Sequence, residues 1–112
     1  MPTVNIYTRN RSTIDQLNKI LLKLKEFIAK ELSCGDRKLA SDEISIRILV
    51  PESSSQIADT ELEIKVHSYK ERVQRQDDIC LSIKEYVQKV YPKAGSVYVW
   101  LQLSELGHSL RE

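Results

Sequence analysis

With 17 basic and 16 acidic side chains among 112 residues, the chain carries a formal charge of only +1, leaving no long-range field to gather nucleic acid or an anionic membrane. A composition 41% apolar and 29% charged is that of an ordinary globule, and the length closes one modest core rather than two. No apolar run approaches the roughly 20 residues of a spanning helix, and the start lacks the basic and apolar regions of a signal peptide, so the expected location is the cytoplasm.

Residues 1–9 open the chain as a strand, with Val4, Ile6 and Thr8 alternating against Thr3, Asn5, Tyr7 and Arg9. A helix is expected over about 12–34. Ser12 and Asp15 form a capping pair at its start, Ile14, Leu17, Leu21, Leu24, Ile28 and Leu32 recur at helical spacing, and Gly35 is a left-handed stop. Residues 44–50 are rich in β-branched side chains and end at Pro51, which predicts a second strand. Strand, long helix and strand make one βαβ unit, whose two strands run parallel.

Residues 52–60 read as a polar linker, after which the pattern repeats. Leu62, Ile64 and Val66 alternate with Glu63, Lys65 and His67 in a third strand, and a helix is expected over about 70–91 with Val73, Cys80, Ile83, Val87 and Val90 on its apolar face. Pro92 and Gly95 stop it, residues 96–103 form a fourth strand, and 104–112 are a short tail. The expected class is α+β: a single domain over 1–112, built from pseudo-repeat halves 1–51 and 61–103. Two consecutive βαβ units would form a four-stranded mixed sheet with two helices on one face.

One sheet face is expected to be apolar through Val4, Ile6, Ile46, Ile48, Ile64, Val66, Val97 and Val99. The other carries Asn5, Tyr7, Arg47, Lys65, His67, Tyr98 and Trp100, a large partly aromatic area to leave in water. Either it is a platform for a planar ligand or it packs against other copies of the chain, and for Tyr98 and Trp100 packing is the favoured reading. Cys34 and Cys80 match no CxxC or Cys/His metal spacing, so they read as structural thiols and neither metal nor cofactor is expected. His67 and His108 read as surface histidines, and the charged run 70–78 as a solvated helix face.

Two βαβ halves opened by Met1-Pro2 and a strand resemble the tautomerase superfamily, which includes 4-oxalocrotonate tautomerase and macrophage migration inhibitory factor. The resemblance covers nearly the whole chain. It rests on Pro2, on the turn Asn10-Arg11-Ser12 and on Ser45-Ile46-Arg47-Ile48, with Ser96-Val97-Tyr98-Val99 as the corresponding strand of the second half. The stretch from Glu63 through Ile79 into the Trp100 strand is also similar to a small, little-characterised bacterial branch of that superfamily.

What the resemblance implies is a homotrimer whose helix-free sheet faces line a central barrel, and a proline-based tautomerase or isomerase acting on a small 2-oxo or enol carboxylic acid. Pro2 would be the general base, provided Met1 is removed, because an acylated proline nitrogen has no basicity. Enclosure beside cationic groups would keep such an amine free of its proton at neutral pH. Arg11 and Arg47 are the matching candidates for carboxylate binding and enolate stabilisation, and Arg9 stands close enough to compete with Arg11. Arg11 comes one residue earlier relative to the proline than in 4-oxalocrotonate tautomerase. Tyr98 and Trp100 complete the candidate substrate contacts.

Two other readings stand beside this one. The first is a non-catalytic trimer of the same fold that binds a small ligand or acts as a scaffold. The second is a ferredoxin-like module stacking RNA bases on its open sheet, against which stand the charge near zero and the lack of a basic-glycine-aromatic run.

Overall fold

The computed structural model describes residues 2–9, 11–34, 38–51 and 58–104, with the side chain of Ser12 set aside. Four strands are present: β1 (Thr3–Thr8), β2 (Ser45–Leu49), β3 (Thr60–His67) and β4 (Val97–Ser104). The helical segments are α1 (Ser12–Lys19), α2 (Leu21–Leu32), α3 (Lys70–Gln74) and α4 (Gln76–Val90). The expected stop at Gly35, residue Asn10 of the first turn, the linker over 52–57, His108 and the tail over 105–112 lie outside the described residues.

The sheet order is β2-β1-β3-β4. Each half contributes a parallel pair, β1 with β2 and β3 with β4, and the halves join through antiparallel β1 and β3. The result is the expected four-stranded mixed sheet. Period-two alternation separates its faces, and Val4, Ile6, Leu62, Ile64, Val66 and Val97 are buried on the helix side. Leu17, Leu24, Ile28, Leu32, Ile79, Ile83 and Val87 close over them in one continuous cluster. Each fully buried Leu or Ile contributes on the order of 1.5–3 kcal/mol. Ile46 and Ile48 on the edge strand β2, with Val99 on the opposite edge, are only partly buried.

The helices depart from expectation in a related way. Neither runs unbroken, since Ile20 (φ −106°, ψ 7°) divides α1 from α2 and Arg75 (φ −108°, ψ 12°) divides α3 from α4. The second break shifts the helical phase. Val73, expected on the apolar face, is 44% exposed, while its neighbour Arg72, expected in a solvated run, is 3% exposed. At the first helix Ser12 is the first helical residue rather than its cap; Arg11 holds the cap position, with no side-chain capping bond. The third strand begins at Thr60, inside the expected linker, because Thr60 pairs with Thr8 and both are buried. Among the described residues no helix is long and apolar enough to cross a membrane.

Candidate functional site

Antiparallel pairing of β1 with β3 creates two comparable sheet ends. At one, the start of β1 lies beside the end of β3; at the other, the start of β3 lies beside the end of β1. Pro2 belongs to the first. Its ring is buried, its carbonyl accepts the Ser45 N–H at 3.2 Å, and the next residue, Thr3, pairs with Lys65. A cavity of about 140 Å³ sits here, lined by Thr3, Lys65, Val66, His67 and Ser104. Thr3, Lys65 and His67 alternate with the buried Val4, Ile64 and Val66, so they stand on the helix-free face. His67 Nδ1 is buried without a hydrogen-bond partner, unlike the satisfied surface histidine the sequence suggests.

Arg9 and Arg11 belong to the other end. Roughly seven residues of strand, or ~23 Å, separate Pro2 from Arg9 along β1. One chain therefore does not bring Pro2 and these arginines together. Arg9 Nη1 lies 3.4 Å from Asp59 Oδ1, and both border a second cavity of about 190 Å³ with Thr8, Thr13, Lys93, Ala94 and Gly95. Arg11 is exposed just before α1.

Asp59 is held at that end by Ser96. Its carboxylate accepts the Ser96 N–H at 3.1 Å and the Ser96 hydroxyl at 3.2 Å, while its own N–H donates to Ser96 Oγ at 2.9 Å. The bonds from Ser96, aided by Arg9, hold the Asp59 carboxyl below its ordinary range. A lowered folded-state pKa gives stability that is present above the unfolded value of about 4 and lost as pH falls through the folded value. The thermal midpoint of Asp59→Asn is therefore expected to fall below wild type at about pH 7 and to converge on it at about pH 2. A midpoint gap that stays constant across that range would refute the assignment.

Between the two ends, the open face is a grid set by strand register. One row runs Arg47, Asn5, Glu63, Trp100, and the next runs Leu49, Tyr7, Glu61, Tyr98. Glu63 is its hub: Oε1 accepts Asn5 Nδ2 at 3.1 Å and the Tyr7 hydroxyl at 3.5 Å, and lies 3.9 Å from Lys65 Nζ. Burial, and then the Glu63 charge and hydrogen bond, push the Tyr7 phenol up. Arg47 is exposed on this face, opposite in sense to the Pro2 ring, while Tyr98 and Trp100 stack with centroids 4.9 Å apart. A cavity of about 540 Å³ lies over Tyr7, Glu61, Glu63, Trp100, Leu101 and Gln102. Its two carboxylates suit a cation better than a carboxylic acid.

Cys80 is a poor candidate nucleophile. Burial first, and then Asp77, push the Cys80 thiol up, which keeps it protonated. Among the described residues no group of three or more His, Cys, Asp or Glu is placed to hold a metal ion. Sequence reasoning put Lys65 and His67 on the mixed face but did not group them with Pro2, because the antiparallel junction that sets Thr3 against Lys65 and the parallel pair that sets Ser104 against His67 are announced by no spacing.

No protein-family model and no curated protein matches the chain. Solved structures do. A macrophage migration inhibitory factor-like protein from Entamoeba histolytica is similar with a TM-score of 0.64 at 10% identity, covering 96% of this chain and 95% of that one. A fused 4-OT wild-type asymmetric trimer is similar with a TM-score of 0.68 at 9% identity, covering 97% and 94%. N1, a member of the cis-3-chloroacrylic acid dehalogenase family, is similar with a TM-score of 0.59 at 14% identity, covering 98% and 84%. At such identities the likeness speaks to the fold.

Proposed function

We propose that this chain, which has the fold shared by macrophage migration inhibitory factor-like proteins and 4-OT, is a tautomerase that uses the Pro2 nitrogen as general base on a small 2-oxo or enol carboxylic acid. The observation that carries the reading is the position of Pro2: it opens a central strand with its ring packed away, at the sheet end where a cavity begins at Thr3. The reacting atom is a main-chain nitrogen in the sheet plane, so the buried ring orients it without blocking it. Removal of Met1 frees that nitrogen as a secondary amine. It takes a proton from the carbon α to the carbonyl, and the negative charge that develops on oxygen is stabilised by nearby donors before the proton returns to the other end of the enol system.

The separation of Pro2 from Arg9 and Arg11 bears on assembly. These arginines serve the reaction only if a second copy presents its Arg11 end to the Pro2 end of the first. A homotrimer built through the open face and the sheet edges would do this and would also cover Tyr98 and Trp100, which are 39% and 49% exposed in the single chain. Arg47 then lines the same intersubunit space from the edge strand.

With Met1 removed, the protein is expected to ketonise enol phenylpyruvate, and Pro2→Ala is expected to lose at least about a hundredfold in kcat, in keeping with loss of a general base. Ultraviolet absorbance follows the enol, and intact mass reports the amino terminus. Unchanged turnover by Pro2→Ala would overturn the reading. Retention of Met1 in protein from its native source would favour instead a non-catalytic, ligand-binding or scaffolding oligomer.

A further inference from the structure

The cavity beside Pro2 is lined mostly by polar residues and by no carboxylate. Lys65 supplies an ammonium, Thr3 and Ser104 supply hydroxyls, His67 supplies an imidazole, and Val66 supplies the only apolar side chain of the lining. The Lys65 side chain is half-exposed, and its Nζ forms a long ion pair with Glu63 Oε1 at 3.9 Å, beyond hydrogen-bond distance, so its donors can still turn toward a ligand. His67 Nδ1 is one of two buried side-chain polar atoms without a partner among the described residues. A buried ring nitrogen left unpaired is costly, and the natural remedy is a ligand atom in the adjoining space.

The backbone holds this arrangement rigidly. The Ser68 N–H donates to the Ser104 carbonyl at 2.6 Å and ties the ends of β3 and β4, and Arg72 Nη1 donates to the His67 carbonyl at 2.9 Å and ties the end of β3 to α3. Two other cavities carry carboxylates instead. The one over Tyr7 and Trp100 carries Glu61 and Glu63, and the one beside Arg9 contains Asp59, already bound to that arginine.

We infer that Lys65 and His67, with the hydroxyls of Thr3 and Ser104, form a carboxylate-binding subsite within the same chain as Pro2, and that this subsite, rather than the Arg9 and Arg11 end, orients a small 2-oxo acid for the proline. Resting on the proposed tautomerase reading, the inference narrows the substrate. About 140 Å³ is the space of four or five waters at ~30 Å³ each, which admits the carboxylate and carbonyl of a short acid and leaves any ring outside the cavity. Lys65 provides the charge, and His67 provides a hydrogen bond from the buried side. The subsite thereby turns C3 of the acid, the proton-bearing carbon next to the ketone, toward the Pro2 nitrogen.

The test pairs a binding assay with turnover on full-length protein whose Met1 has been removed. Pyruvate is titrated against 15N-labelled wild type, Lys65→Met, His67→Phe and, as a control, Lys23→Met on the outer face of α2, with thermal midpoints confirming that each variant is folded. Pyruvate is expected to shift the amides of Thr3, Lys65, His67 and Ser104. Lys65→Met should weaken its binding about tenfold or more, as loss of a charge-assisted bond predicts, and Lys23→Met should leave it unchanged. In turnover of enol phenylpyruvate, Lys65→Met and His67→Phe should raise KM by a similar factor while kcat changes less.

Pyruvate shifts confined to Arg9, Arg11 or the Trp100 face, or Lys65→Met and His67→Phe with wild-type affinity and KM, would overturn the subsite. Binding at Lys65 and His67 without any turnover supports the subsite and defeats the Pro2 reaction. Pro2-dependent turnover that ignores both residues does the reverse.

Discussion

Replacing Arg72 with methionine is expected to lower stability by about 3–5 kcal/mol, more than any charge substitution elsewhere on the helices. Methionine keeps most of the aliphatic stem, so the loss isolates the guanidinium. Arg72 is 3% exposed; its Nε donates to the Leu32 carbonyl at 2.8 Å and its Nη1 to the His67 carbonyl at 2.9 Å. Leu32 is the last residue of α2, where carbonyls lack partners within the helix and a cation opposes the negative end of the dipole. His67 closes β3. One side chain from α3 thus caps a helix of the first half and a strand of the second. Each acceptor stranded in the interior costs about 1–3 kcal/mol, and loss of the cation over the Tyr69 ring, 4.8 Å from its centroid, adds about 0.5–2 kcal/mol.

Urea unfolding measures this directly, and a fall of 3 kcal/mol corresponds to a thermal midpoint lower by roughly 10–20 °C in a domain of this size. Arg72→Lys should recover only part, because an ammonium at the end of a flexible stem does not reproduce a planar fork directed at two carbonyls. A methionine variant within about 0.5 kcal/mol of wild type would show that water replaces the guanidinium at little cost. Since Arg72 also anchors the His67 carbonyl, its loss should loosen the pyruvate subsite, and this would appear as a raised KM in protein that is still folded.

Arg72 also marks where sequence periodicity stops being informative. The strands were legible because Val4 and Ile6, or Leu62, Ile64 and Val66, repeat every second residue with no break. Helical spacing worked from Leu24 to Leu32 for the same reason, and the βαβ order limited each half to a parallel pair. A single non-helical residue at Arg75 rotates what precedes it, and no pattern of five residues reveals a phase. For the candidate site the sequence offered residue types, Pro2 with the aromatic and cationic side chains, and not their grouping. Asn5, Glu63 and Trp100 form a row, and Thr3 meets Lys65, because β1 and β3 are central and antiparallel. That junction is tertiary, and it decides that Pro2 lies at the sheet end where Thr3 pairs with Lys65, while Arg9 meets Asp59 at the other.

Gly95→Ala is expected to cost about 3 kcal/mol, from two sources that can be separated. Gly95 follows the turn Pro92–Ala94 with φ 75° and ψ −145°, a region essentially reserved for glycine, where another residue carries about 1–3 kcal/mol of strain. The added methyl would also meet the Asp59 carboxylate, with Asp59 Cβ and Cγ each 3.0 Å away. Asp59 has little freedom to retreat, since Ser96 holds both its N–H and its carboxylate and Arg9 approaches from the other side. Strain belongs to the backbone and persists whatever stands opposite; the collision disappears with the carboxylate. In an Asp59→Gly background, Gly95→Ala should therefore cost about 1 kcal/mol less than in wild type, a coupling within the range contacting residues show. Equal costs in the two backgrounds would assign the whole effect to φ and ψ. A cost below about 1 kcal/mol in wild type would mean that the turn relaxes to accept alanine, and the Asp59–Ser96 clamp should then show the same softness in its response to acid.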